Sequence, residues 1–318
     1  MNSSRTRQEL HGCAATYGMD TDNQGPGSPE LCVVVIATKA DPRLVAAIRS
    51  LQAQDVPLEI VVVNSGGGAP AELLARHGIE VPLVDLSERV YVGAARNLGI
   101  RATCAPYVAF LAADCRARAG WARRRLELHR AGQMAVASAM VNSAPRSLIS
   151  TAYHLVLFMR RLPGLPEQHA IRFGVSFRRE IFDCCGLYAE DMRSGEDSDF
   201  LVRLPQSATP AWCSGIQTEH DNDIGFLRAV AEMFARGRRY GREAARVKGV
   251  TRWEVLRHSA RDIRRVHWFA GKGLGAEELR VAKRAMPFFH CLMLARMAGV
   301  LMASIPTYQP TPVRVSRA

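Results

Sequence analysis

Three stretches of this 318-residue chain carry side chains that could do chemistry together. The first is Gly93-Ala-Ala-Arg-Asn-Leu-Gly99, which holds Arg96 and Asn97. The second is the apolar run Tyr107-Val-Ala-Phe-Leu111, followed by Ala112-Ala113-Asp114-Cys115. The third is Gly195-Glu196-Asp197-Ser198-Asp199-Phe200, with His220 further along. A carboxylate at a strand end can hold a divalent cation, and the cation can neutralise charge that develops on a leaving group. An arginine can assist as a charged donor. A second acid close to a nucleophilic hydroxyl can take its proton. A neutral imidazole alongside a carboxylate suits manganese and tolerates magnesium. Each group also has a plainer use. Asp114 could cap the next helix, Glu196 and Asp199 could complement a helix N-terminus, Arg96 could form a surface salt bridge, and His220 could be structural.

Such residues need a scaffold that brings them together, and the hydrophobic pattern describes one. Residues 31–37 are a continuous apolar, β-branched run of the kind found in buried parallel strands. Asp41-Pro42 then supplies an N-cap with proline at the first helical position, and Leu44, Val45, Ile48 and Leu51 follow at helical spacing. A second strand over 58–63 ends in the loop Asn64-Ser-Gly-Gly-Gly68. A helix over 70–77, a strand over 80–86, a helix over 90–103 and a strand over 106–111 continue the alternation. This is α/β spacing, and it predicts a mostly parallel sheet with right-handed crossovers. Ligands of such sheets bind outside the carboxyl ends of the strands. The loops Ala37-Thr38-Lys39, Asn64-Ser65-Gly66 and Ala112-Ala113-Asp114 should therefore converge. Downstream the pattern predicts a helix over 118–131, a strand over 134–140, a helix over 146–161, and strands over 171–178 and near 209–216. From 224 onward everything reads as helix, over 224–247, 253–270, 276–286 and 288–304, with Pro287 between the last two.

Composition narrows the classes further. A hydrophobic content of 48% is enough for a large α/β domain with an appendage. The net charge is +12 and mostly arginine, clustered at 116–125, 236–242 and 261–265. That balance suits phosphate-bearing ligands, anionic lipid headgroups or nucleic acid, or else marks solvated helix faces. No nucleic-acid-binding module matches, so no nucleic-acid partner is expected. The eight cysteines include no Cys-x-x-Cys pair and fit a reducing cytosol. Residues 1–30 are polar and rich in glycine and proline, and read as a disordered lead-in. The apolar stretch 285–305 is long enough for a membrane span. Arg296 near its middle would cost about 2.5–3.5 kcal/mol there, which favours a buried or interfacial helix.

In their order and composition, the three motifs resemble a family 2 glycosyltransferase of the GT-A type, over roughly residues 31–245. Phe173-Gly-Val-Ser-Phe-Arg-Arg-Glu-Ile-Phe-Asp183 with Gly186 is similar to the strand, turn and short helix that precede the acceptor site in that family. The resemblance implies a Rossmann-like GT-A domain over 31–222 and a helical C-terminal extension over 223–318 that could face a membrane. It implies an inverting transfer from a nucleotide-sugar donor to a glycan, lipid or small-molecule acceptor, assisted by Mn2+ or Mg2+. Ala37, Thr38, Asn64, Arg96, Asn97, Ala113 and Asp114 would line the nucleotide site, and Asp114 and His220 would hold the metal. Asp197 would be the general base, with Glu196 positioning it or touching the acceptor. The expected setting is the cytoplasm, at the inner face of the cell membrane.

Two positions depart from the family pattern. Ala112 stands where the Asp-x-Asp motif has its first aspartate, and Asn64-Ser65 stands where an acidic pair faces the nucleotide base. Asparagine can still bond a base edge but brings no charge. These departures favour an alternative, a catalytically silent relative that binds nucleotide or glycan. The retained Asp114 and Asp197 oppose it. The lack of Gly-x-Gly-x-x-Gly between first strand and helix counts against a dinucleotide oxidoreductase.

Overall fold

The computed structural model describes residues 28–303, except the side chains of 245–248. Most of the expected tail over 1–30, and the end of the apolar stretch from 304 onward, lie outside the described residues. β1 (Leu31–Ala37) pairs in parallel with β2 (Leu58–Asn64) on one side and β4 (Tyr107–Ala112) on the other. Its side chains alternate. Leu31, Val33, Val35 and Ala37 enter one apolar cluster, while Cys32 and Val34 enter the cluster on the opposite face. A strand covered on both faces has no solvent side, which is why its sequence is apolar throughout. β3 (Leu83–Asp85) extends the sheet beside β2.

Helix α1 (Pro42–Gln52) starts where the sequence places it, with the Asp41 side chain accepting from the Arg43 amide at 3.0 Å. α2 (Pro70–Arg76) follows β2, and α3 (Val92–Arg101) follows β3. Gly99 lets α3 lie directly on β1, because a Cβ there would meet Val34 Cγ1 at 2.1 Å. Gly93 does the same for the segment beside Tyr188, where a Cβ would lie 2.2 Å from the Ala189 carbonyl. The two glycines of the first motif therefore serve close packing of the helix that carries Arg96.

The second half of the sheet holds β5 (Cys115–Ala117), β6 (Ala135–Asn142), β7 (Ser176–Arg178) and β8 (Ala211–His220), giving the order β3-β2-β1-β4-β7-β6-β8-β5. β7 runs antiparallel to both β4 and β6, and β5 runs antiparallel to β8. The sheet is therefore mixed, with β7 and β5 running against the other six strands. Side-chain periodicity records that a strand is buried but not its direction, so these reversals left no mark in the pattern. α4 (Trp121–Arg130), α5 (Leu148–Phe158), α6 (Glu180–Cys185) and α7 (Glu196–Arg203) connect these strands.

Three long helices follow, α8 (Phe226–Lys248), α9 (Arg252–Gly273) and α10 (Ala276–Leu301). The two helices expected around Pro287 are one, and Pro287 lies inside α10. Proline costs the helix a hydrogen bond and about 3 kcal/mol or more. Burial of Met286, Phe289, Leu292 and Met293 against α5, α8 and α9 opposes that loss on both sides of the residue. Arg296 lies over the Tyr240 ring of α8, 5.7 Å from its centroid. No helix among the described residues is long and apolar enough to cross a membrane.

Candidate active site

A cavity of about 480 Å³ opens at the carboxyl ends of β1 and β4. Thr38, Arg96, Ala113, Asp114, Asp197 and His220 all line it, although they come from five separate segments. Strand pairing builds one wall. The β5–β8 ladder sets Cys115 opposite His220, and the Asp221 amide donates to the Asp114 carbonyl at 2.9 Å. His220 Nε2 comes to 3.7 Å from Asp114 Oδ2. The ligand atoms of Asp114, Cys115 and His220 all lie within 4.8 Å of one another. Burial pushes the His220 pKa down, against the pull of Asp114, so the ring is held in its ligand-competent neutral form. The Phe158 ring sits 4.9 Å from the imidazole, centroid to centroid, and limits its tilt.

Helices build the opposite wall. Arg96 projects from α3 and meets the first turn of α7. Its Nη1 donates to Asp197 Oδ1 at 2.6 Å and to Glu196 Oε1 at 3.1 Å, and Nη2 donates to Asp197 Oδ2 at 3.2 Å. The guanidinium lies between the rings of Tyr188 and Phe110, 4.9 and 5.3 Å from their centroids. Burial works against the charge of Arg96, but Asp197, then Tyr188 and Glu196, hold its pKa above the ordinary arginine value. Burial and the neighbouring Asp197 raise the pKa of Glu196. Exposure separates the two acids: the Asp197 side chain is 40% exposed and that of Glu196 is 11%. Asp197 is thus the acid that opens onto the cavity, and Glu196 is the buried support of Arg96.

The remaining expected residues do not reach the cavity wall. Ala37 is buried at the end of β1, and its carbonyl accepts from the Ser65 amide. Asn64 is fully buried and donates to Asp85 Oδ1 at 2.8 Å and to the Gly67 carbonyl at 3.2 Å, leaving Oδ1 without a partner. Asn97 spends its amide on the protein, donating to the Tyr188 carbonyl and Glu190 and accepting from the Tyr188 amide. It ties α3 to the 188–190 segment, and its contribution is to hold Arg96 in place. Sequence reasoning passed over Arg161, which lines the cavity and donates to the Ser138 carbonyl at 3.1 Å. Burial pushes its pKa down to about 10. Its only signal was a basic residue at the end of an apolar helix.

The model of glycosyl transferase family 2 matches residues 32–186. That segment carries a glycosyl transferase family 2 domain. The matched stretch contains Arg96, Asp114 and the β7–α6 unit. The motif with Glu196 and Asp197, and His220, follow it. Among solved structures, the chain is similar to a mannosyltransferase from Pyrobaculum calidifontis in complex with GDP-Man and Mn2+. The identity is 16%, with 94% of this chain and 97% of that one covered and a TM-score of 0.55. It is also similar to residues 1–349 of S. aureus TarS in complex with UDP-GlcNAc, at 13% identity, 85% and 89% coverage and a TM-score of 0.48. No curated protein matches the sequence. At these identities the likeness to the mannosyltransferase concerns the fold, and the α/β scaffold is that of GT-A glycosyltransferases.

Proposed function

We propose that the protein is a metal-assisted, inverting glycosyltransferase that moves a sugar from a nucleotide-sugar donor to an acceptor hydroxyl. The observation that carries this reading is the cavity itself. It has a carboxylate–imidazole pair on the strand wall and a half-exposed carboxylate on the helix wall. The donor set of Asp114 and His220 fits a divalent cation, with Mn2+ better suited than Mg2+ because one ligand is an imidazole. Such a cation supplies Lewis-acid stabilisation of the departing nucleoside diphosphate. Asp197 takes the proton of the acceptor hydroxyl, and Arg96 fixes the plane of its carboxylate. Glu196, buried behind them, balances the charge of Arg96. Thr38 and Ala113 line the donor side. A single in-line displacement at the anomeric carbon gives inversion.

The test is a panel of nucleotide sugars with manganese, read as released nucleoside diphosphate, with and without lipid extracts as acceptor source. Release from one donor class that depends on acceptor supports the reading. Binding without release from any donor would favour the silent relative instead.

The catalytic unit in this proposal is residues 31–222, and residues 223–318 form a helical extension that rests on an anionic membrane face from the cytoplasm. Its support is one face of α9. Trp253, Arg257, Arg261, Arg264 and Trp268 follow at spacings of three and four, so they share a stripe roughly 22 Å long. The two tryptophans are 67% and 38% exposed, and the three arginines between them are exposed and make no ion pair among the described residues. Indole rings favour the headgroup level, and each basic residue there contributes about 1 kcal/mol. Replacing all three arginines with glutamine should lower binding to phosphatidylserine vesicles about 100-fold, from roughly 1 kcal/mol per residue. High salt should release the native protein. Equal sedimentation of native and variant protein, or retention until detergent, would sink this part. The cysteines of the described residues are free, as a reducing compartment requires.

A further inference from the structure

We infer that Asn222 is a positioning residue, whose side-chain amide fixes His220 in the Nδ1–H tautomer and so turns the Nε2 lone pair toward Asp114. The use of that lone pair for a cation rests on the proposed function; the tautomer itself does not. A neutral imidazole has one N–H and one lone pair, and only the lone pair can bind a cation. Nε2 is the nitrogen that faces Asp114. Nδ1 lies 2.7 Å from Asn222 Oδ1. An amide oxygen accepts only, so the proton sits on Nδ1. The two ends of a carboxamide have nearly the same shape, however, and a flipped Asn222 would present NH2 and demand the opposite tautomer. The assignment therefore depends on what forbids the flip.

Main-chain groups forbid it, and their roles cannot be exchanged. The Ala144 amide donates to Asn142 Oδ1 at 3.2 Å, and Asn142 Nδ2 donates to the Ala144 carbonyl at 3.2 Å. The Ser150 hydroxyl adds a donor to the same Oδ1 at 2.8 Å. Asn142 Oδ1 is thus the acceptor end, and it lies 2.9 Å from the far end of Asn222, which must be NH2. That NH2 also faces the His220 carbonyl at 3.2 Å and His154 Nδ1 at 3.1 Å. A flip would set the Asn222 oxygen against two other oxygens, in a residue only 1% exposed to water. Buried polar groups left in such contacts are costly. The proton on His220 is consequently placed by a backbone amide, through two carboxamides in series. Partners behind a metal-binding histidine commonly set its tautomer, and losing one typically costs 10–100-fold in affinity.

The decisive measurement needs no metal and no activity. Two-bond 1H–15N correlation on 15N-labelled, metal-free protein reports which ring nitrogen of His220 carries the proton. The native protein should show a protonated Nδ1 and an unprotonated Nε2. In Asn222→Ala the two tautomers should mix, and the Mn2+ affinity, read by electron paramagnetic resonance titration of free Mn2+, should fall roughly 10–100-fold. Asn142→Ala, which frees Asn222 to flip, should shift the tautomer in the same direction by less. A native His220 protonated on Nε2 overturns the inference without any variant, as does an unchanged tautomer in a folded Asn222→Ala protein. If the tautomer behaves as expected but native protein takes no Mn2+, the positioning role stands and the cation reading falls.

Discussion

On the strand wall of the cavity, Asp114, Cys115 and His220 meet because β5 and β8 are hydrogen-bonded neighbours. On the helix wall, Arg96 and Asp197 meet across 101 residues of chain through side chains alone. The first arrangement is held by main-chain ladders and by an amide relay that no ligand needs to touch. The second is held by the reactive group itself, since the carboxylate that would take a proton is also the one that anchors Arg96. Strand-side chemistry should therefore be separable from architecture, while helix-side chemistry should not be. Changes on the strand wall ought to appear as changes in binding. Changes on the helix wall ought to appear as changes in rate, with some cost to the α3–α7 junction.

The largest expected effect breaks the helix wall. Asp197→Asn keeps the shape but removes the basicity, and transfer should fall by about 10²–10⁴-fold. Donor affinity should change little, because the proposed donor side lies at the strand-end loops. A melting profile is needed beside the rate, since Arg96 loses its charged partner at 2.6 Å and keeps only Glu196. Transfer at the native rate would remove Asp197 from the mechanism. Loss of nucleotide binding with the fold intact would move it to the donor site.

The next test breaks the strand wall. Asp114→Ala removes a ligand while leaving the β5–β8 pairing in place. Manganese-dependent binding of nucleoside diphosphate should weaken by at least the ~10–100-fold that an outer partner of a metal ligand costs. Calorimetry would show this as an affinity that no longer responds to chelator. Equal affinity in native and variant protein, or equal native affinity with and without chelator, would rule out the site. Together the two variants should separate: one loses rate at near-constant donor affinity, the other loses affinity.

The two walls also differ in how far they could be read in advance. Strand β1, the Asp41 cap and the positions of Asp114, Asp197 and His220 were legible, because short-range pattern or motif order determines them. The antiparallel insertion of β7 was not, since burial looks the same in either strand direction. Asn97 sits in a closely matched motif, yet its amide is consumed by Tyr188 and Glu190, which lie over ninety residues away. Asn222 and Arg161 were passed over for a related reason. Asn222 acquires its role only when β6, α5 and β8 come together, and Arg161 only when its helix end reaches Ser138 on β6. Pro287 misled in the other direction, as a local stop signal that tertiary burial overrides.

The smallest expected effect concerns the buried body of the fold rather than either wall. His129 on α4 is buried, stacked on Tyr107, and bonded through Nδ1 to the Gln133 carbonyl and through Nε2 to Ser176 Oγ on β7. The carbonyl can only accept, so Nδ1 carries the proton and Nε2 accepts from the serine. Burial pushes the His129 pKa down to about 4, and that of buried His154 to about 3. In the unfolded chain both would titrate near 6.5. Between those values the unfolded state binds the protons and the folded state does not, so stability must rise with pH across that window. The contribution is full above about pH 6.5 and is lost as pH falls toward 4 for His129 and 3 for His154. Thermal melts should accordingly show a Tm that drops from pH 7 to pH 4, and His129→Gln should flatten part of that slope. This sharpens the comparison between the walls. Acid weakens the fold that carries both walls, so rate and affinity should decline together with the melting temperature, unlike either wall variant. A His129→Gln protein whose Tm follows the native slope unchanged would show that the buried imidazole contributes nothing to the acid loss.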